Sequence, residues 1–195
     1  MPGSSRGRTV VLFATSNKGK LEEARQVLGP LGFTVRGRDA KGTEIQADTT
    51  AEVAARSSRE AADKLRRAVI VEDAGLFVDE LGGFPGVYSA YALRTIGLGG
   101  IITLLRGSRS RRAKFVSSVA YCEPGGRPEV FDGSVSGVIA DGPRGSGGFG
   151  FDPIFVPDGY EQTFGQLTLE VKCRISHRGE ALRQFARWHA SHGGR

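Results

Sequence analysis

The chain has 195 residues, 39% apolar and 25% charged, with a net charge of +6 and two cysteines. That length suits one domain, or one domain with two lobes, two cysteines exclude a disulfide framework, and every apolar run is far shorter than the roughly 20 residues that span a bilayer. The excess of positive charge favours an anionic partner without choosing among nucleotide, nucleic acid and acidic surface.

The opening MPGSSRGR is charged but lacks an apolar stretch, so it does not read as a secretory signal. Residues 1–8 and 190–195 are expected to be flexible tails of a single domain, 1–195, in a reducing cytoplasm. Residues 9–14 (TVVLFA) form a continuous apolar run and predict a central strand covered on both faces. Residues 17–29 follow as a helix with Leu21, Ala24, Val27 and Leu28 on one face. Ser16 or Asn17 caps it, Glu22 and Glu23 lie in its early turns, and Gly29-Pro30 ends it. Residues 33–36 predict a short strand, 50–67 a helix and 68–71 a strand, and this alternation implies a largely parallel or mixed sheet. Further on, residues 97–106 predict a short apolar helix, and 114–123 and 129–139 two long strands joined by the turn PGGRP. Residues 142–150 are glycine-rich, and 176–191 predict a closing helix. The expected architecture is therefore α/β, with a long central mixed β-sheet flanked by helices and two lobes with a cleft between them.

Four clusters carry chemistry. The loop ATSNKGK (14–20) follows a strand and opens a helix, where free N–H groups and the positive end of the dipole suit phosphate. It is not a P-loop, since the G-x-x-x-x-G-K-[ST] pattern is absent. In VIVEDAGLF (69–77), Glu72 and Asp73 follow an apolar run, with Glu44 as a third carboxylate; magnesium is held by one or two carboxylates with phosphate and water. Neighbouring strand residues point to opposite faces, so one of the pair should face the site, and Asp73 is preferred to Glu72. RGSGGFGFDPIF (144–155) contains G-x-G-x-x-G, but Asp152-Pro153 breaks any following helix. Its glycines permit close backbone approach, and Phe149 and Phe151 offer ring faces to a base. KCRISHRG (172–179) gathers Lys172, Arg174, His177 and Arg178 ahead of a helix, a set suited to oxyanions or a purine edge. The basic stretch RGSRSRRAK (106–114) has no aromatics and reads as a solvated loop, with a nucleic-acid patch as the alternative.

Taken together, ATSNKGKLEEA, VIVEDAGLFVDELGGFPGVYSA, RGSGGFGFDPIF, GYEQTF and ISHRGEAL resemble the inosine triphosphate pyrophosphatase family, also called Ham1-like. The likeness spans residues 10–188, and the GFPGVYSAY and TIGLGGI wording is similar to archaeal-type members. It implies an ITPase-like fold and Mg²⁺-dependent hydrolysis of non-standard purine nucleoside triphosphates (ITP, dITP, XTP) to the monophosphate and pyrophosphate. By position, Thr15, Ser16, Asn17, Lys18, Gly19 and Lys20 would hold the triphosphate. Asp73 would be the catalytic base and, with Glu44, a metal ligand, Glu72 being the lesser choice. Ala74 would touch substrate through its backbone, while Phe149, Gly150, Phe151, Asp152, Lys172, His177 and Arg178 would bind the nucleotide, with Phe151 stacked on the purine. The family implies a homodimer, no membrane association and no nucleic-acid partner. The chain departs from the common pattern at Arg56-Ser57, Gly165-Gln166-Leu167, Val171 and Cys173. Rival readings are a nucleotide- or nucleic-acid-binding module without turnover, and a nucleotide hydrolase releasing orthophosphate.

Overall fold

The computed structural model describes residues 8–40 and 45–192. In chain order these form β1 (Thr9–Ala14), α1 (Lys18–Leu28), β2 (Phe33–Arg38), α2 (Thr50–Leu65), β3 (Val69–Val78), β4 (Pro85–Gly86), α3 (Ser89–Thr95), α4 (Gly97–Leu104), β5 (Arg112–Cys122), β6 (Glu129–Ile139), β7 (Phe155–Pro157), α5 (Leu169–Ile175) and α6 (His177–His192). The strands make one open mixed sheet in the order β2-β1-β3-β5-β6-β7, with β4 paired to β3. β1 is parallel to β2 and β3, and every other pairing is antiparallel.

Strand alternation divides the core. Val11, Phe13 and Ile70 pack with Ala24 and Leu28 of α1 and Phe185 of α6. Leu12, Val69 and Val71 pack instead with Ala61 and Ala62 of α2. Helices thus cover both faces, which is why these strands read as unbroken apolar runs. A further cluster at the far end joins Leu76, Val78, Phe115, Phe155 and Phe164 to α4 through Ile101. Each fully buried large side chain of this kind contributes about 1.5–3 kcal/mol.

Capping follows residue chemistry. Asn17 accepts from the Lys20 amide at the start of α1. Thr49 and Glu52 close a reciprocal capping box on α2. The principal correction concerns β3. The acidic pair was expected where a strand ends, yet the strand continues through Glu72, Asp73, Ala74 and Gly75 to Val78. Ten consecutive pairs with β5, from Val69–Cys122 to Val78–Ala113, hold it extended, and that pairing lies outside the reach of local pattern. The closing helix starts where expected, directly after Ser176. Ser176 is extended (φ −78°, ψ 158°) and separates it from α5, a short helix outside the sequence expectation, and α6 runs to His192, so residues 190–192 are helical.

Candidate active site

Chain segments far apart in sequence meet where β3, α1 and α6 converge. Lys20, in the first turn of α1, donates from Nζ to the Glu72 carbonyl oxygen at 3.0 Å and stands 2.8 Å from Glu72 Oε2. Glu72 Oε1 also accepts from Ser117 Oγ (2.6 Å) and from Arg178 Nε (3.0 Å). Arg178 Nη1 reaches Glu23 Oε2 at 2.5 Å, Glu23 Oε1 accepts from Lys172 Nζ at 2.6 Å, and Lys172 Nζ continues to Asp152 Oδ2 at 2.5 Å. The result is an alternating chain of charge, Lys20–Glu72–Arg178–Glu23–Lys172–Asp152, buried except for part of Lys20. Pairing makes the burial tolerable, since an unpaired ion there would be strongly destabilising.

The electrostatics separate two neighbouring carboxylates. Burial alone would raise the pKa of Glu72, but Arg178 and then Lys20 outweigh it and hold the group at about 2. At Asp73 the same cations do not outweigh burial. Burial raises it to about 7, with the Glu72 charge adding to the effect and Lys20 opposing it. Burial, followed by the nearby Arg178 charge, keeps the His177 imidazole neutral, well below its usual range. The imidazole lies flat against Phe115, with centroids 4.7 Å apart and an interplanar angle of 10°.

Among the described residues, the buried side-chain polar atoms without a hydrogen-bond partner are Glu72 Oε2, Asp73 Oδ2 and His177 Nδ1. The first has Lys20 beside it; the other two belong to residues lining one cavity of about 350 Å³. An unmet buried polar atom costs about 1–3 kcal/mol, so the pair marks a ligand position. A larger groove of about 660 Å³, near Arg111 and Arg144, has no such atom.

Of the residues expected at the site, Asn17 and Lys20 line the cavity from α1, Asp73 and Ala74 from β3, and Lys172, His177 and Arg178 from α5 and α6. Thr15 and Ser16 lie on the adjoining loop, where Thr15 Oγ1 accepts from the Asn17 amide, and Lys18 is the first residue of α1. Glu44 lies outside the described residues. Phe149 and Gly150 come from the glycine-rich loop, and Asp152 receives the Phe149 amide at 2.6 Å. The Phe149 ring rests on Gly19, with Lys172 Nζ 4.8 Å and Arg178 Cζ 5.2 Å from its centroid. A Cβ on Gly19 would enter that ring, so glycine is required there by close approach. Phe151 also lines the cavity, but it is only 3% exposed and belongs to the core cluster of Ile154, Phe155 and Phe164. Of these two rings, Phe149 is the less buried. Glu72 is spent on Lys20, Arg178 and Ser117.

Glu23 and Ser117 were missed. Glu23 reads from sequence as an acid in the early turns of a helix, yet it is 2% exposed and joins two cations. Its spacing, one turn after Lys20 and beside the buried Ala24, was the available signal. Among the described residues no group of three or more His, Cys, Asp or Glu side chains is placed to hold a metal. Magnesium needs fewer, taking one or two carboxylates with the remaining positions left to water and phosphate. The buried, unpartnered Asp73 Oδ2 fits such a role, because a divalent cation would supply the positive charge it lacks.

Comparison with known proteins shows the family. The Ham1 family model matches residues 11–188. A dITP/XTP pyrophosphatase of Methanopyrus kandleri is 52% identical over 179 residues, 92% of this chain and 95% of the relative. One from Thermococcus kodakarensis is 52% identical over 176 residues, 90% and 95% of the two chains. A HAM1 protein from Coxiella burnetii superposes with a TM-score of 0.81 at 28% identity, over 94% of this chain and 99% of that one. The Staphylococcus aureus Ham1 protein gives 0.78 at 33% identity with the same coverage. The family-model match and these relatives show that the chain belongs to the Ham1 family.

Proposed function

We propose that this protein hydrolyses non-standard purine nucleoside triphosphates (ITP, dITP and XTP) at the α–β phosphoanhydride bond, releasing the monophosphate and pyrophosphate. The observation that carries the reading is the pair of buried, unpartnered groups, Asp73 Oδ2 and His177 Nδ1, in one cavity with Lys20 and Arg178. The names of the relatives support the choice of substrate.

The start of α1 and the Lys20 ammonium attract the triphosphate and stabilise the charge of departing pyrophosphate. Asp73, once ionised, orients water toward the α-phosphorus and takes its proton. Asp73 and Glu44 would hold Mg²⁺, which would neutralise phosphate charge. Phe149 offers a ring to the base. Arg178 spends Nε and one Nη1 hydrogen on carboxylates, which leaves other guanidinium donors for a 6-oxo group; neutral His177 adds a donor or an acceptor. Adenine, with a 6-amino group, leaves those buried donors unmet, and that mismatch is the source of selectivity.

Phosphorus NMR of ITP and XTP incubated with the protein and Mg²⁺ tests the reading. Pyrophosphate and monophosphate are expected. Orthophosphate with a diphosphate, or binding without turnover, overturns it. A cytoplasmic homodimer completes the proposal. The dimer is supported by Phe84, Tyr88, Tyr91 and Ile96, which are large, exposed and close in the chain.

A further inference from the structure

Two glycines frame the first turn of α6, the turn that carries His177 and Arg178. On one side is Gly133 of β6. A Cβ there would lie 2.7 Å from the Ala181 amide nitrogen, 3.1 Å from Glu180 Cβ, and deep inside the His177 carbonyl oxygen. On the other side is Gly179, whose Cβ would overlap the Cys173 carbonyl oxygen at the end of α5. That oxygen also accepts from Arg183 Nη1 at 3.0 Å. Neither glycine has a positive φ. Backbone freedom is therefore not the reason for glycine here, although glycine inside a strand or helix costs about 0.5–1 kcal/mol relative to alanine. What both positions share is backbone-to-backbone contact closer than any side chain permits.

The contact has a specific geometric consequence. Gly133 pairs across the sheet with Ser117, whose hydroxyl donates to Glu72. Glu72 in turn receives Arg178 Nε at 3.0 Å. The depth at which α6 seats on β6 thus sets whether Arg178 reaches Glu72 and Glu23, and how far its remaining donors enter the cavity. Gln184 Nε2, donating to the Asp132 carbonyl oxygen at 2.7 Å, ties the helix to the strand one residue before Gly133.

We propose that Gly133 and Gly179 are positioning residues: they clamp the first turn of α6 at the depth from which His177 and Arg178 read the 6-position of the base. The inference rests on the functional reading above. A methyl group at Gly133 lifts that turn by on the order of 1 Å, a displacement able to cost up to about 100-fold at a reacting or reading group. Lys20 and Asp73 belong to α1 and β3 and feel the shift only through Glu72, so base reading is degraded more than phosphate handling.

The test compares Gly133→Ala with Phe185→Leu. The second variant loosens the same helix in the core, away from its first turn. Steady-state kinetics with ITP and ATP and thermal melting are measured for both. For Gly133→Ala, KM for ITP is expected to rise and the ITP-to-ATP ratio of kcat/KM to fall by on the order of tenfold, with kcat changed much less. Phe185→Leu should lose comparable thermal stability and keep the ratio. An unchanged ratio in Gly133→Ala, or an equal fall in both variants, overturns the clamp. Should Gly133→Ala fail to fold, Gln184→Leu frees the helix from the Asp132 carbonyl at the surface; a smaller fall in the ratio is then expected, and none overturns the proposal. Wild-type protein that turns over no ITP overturns the functional reading together with the clamp, whereas turnover with an unmoved ratio removes the clamp alone.

Discussion

Glu72 and Asp73 are adjacent in β3, yet one is held at about 2 and the other raised to about 7. The difference lies in partners, because burial acts on both. For Asp73 the consequence runs against the usual carboxylate case. The folded protein keeps this proton to a higher pH than the unfolded chain, whose value is near 3.8. Stability is therefore lost as pH rises from about 4 to about 7, and the deficit persists above that, at most about 4 kcal/mol. Metal-free Asp73→Asn should melt higher than wild type at pH 8, with the gap closing toward pH 4; an equal or lower melting temperature at pH 8 removes the claim that Asp73 carries unpaired charge. Turnover should rise with pH as the carboxylate ionises, and Asp73→Asn should slow it by roughly 10²–10⁴-fold at saturating ITP. Glu72 behaves oppositely, giving stability above its unfolded value of 4.5 that is lost as pH falls toward 2.

At the scale of elements, α1 brings Lys20 and Glu23 one turn apart, while α5 and α6 bring Lys172 and Arg178 on either side of Ser176. Ser176 Oγ accepts from the Gly179 amide at 3.1 Å and so starts α6 directly after α5 ends. The start of α6 after Ser176 was legible in the sequence, whereas α5 was not, because seven residues carry too little periodicity to declare a helix. Glu23 binds the two helices together through their cations. Glu23→Gln leaves two buried cations sharing fewer carboxylates, and a loss of about 3–5 kcal/mol is expected in urea unfolding at neutral pH. A loss below about 1 kcal/mol would place Glu23 outside the support of the site. The motifs themselves were legible: TSNKGK opens α1 behind an Asn17 cap, as loop chemistry predicts. Phe149 and Phe151 were not separable, since both flank the same glycine and only packing buries one of them.

For the whole molecule, the sheet joins a β1-β2-β3 parallel part to a β3-β5-β6-β7 antiparallel part through one long strand. β3 therefore passes between the two core regions and delivers Asp73 where they meet. The segment with Phe84, Tyr88, Tyr91 and Ile96 borders this region, with Tyr91 59% exposed. Light scattering behind gel filtration should give a dimer for wild type, and Tyr91→Glu should shift it toward monomer; a wild-type monomer at tens of micromolar rejects the assembly.

By itself the sequence determined the strands and helices of the α/β alternation, and the residue types that can face phosphate, because periodicity, caps and turn chemistry act between near neighbours. Tertiary structure alone decided which acids are neutralised and which is left unpaired. Lys172 meets Glu23 across 149 residues of chain and Arg178 meets Glu72 across 106. Charge interaction depends on distance through space and on exclusion of water, and neither exists until the sheet has brought those segments together.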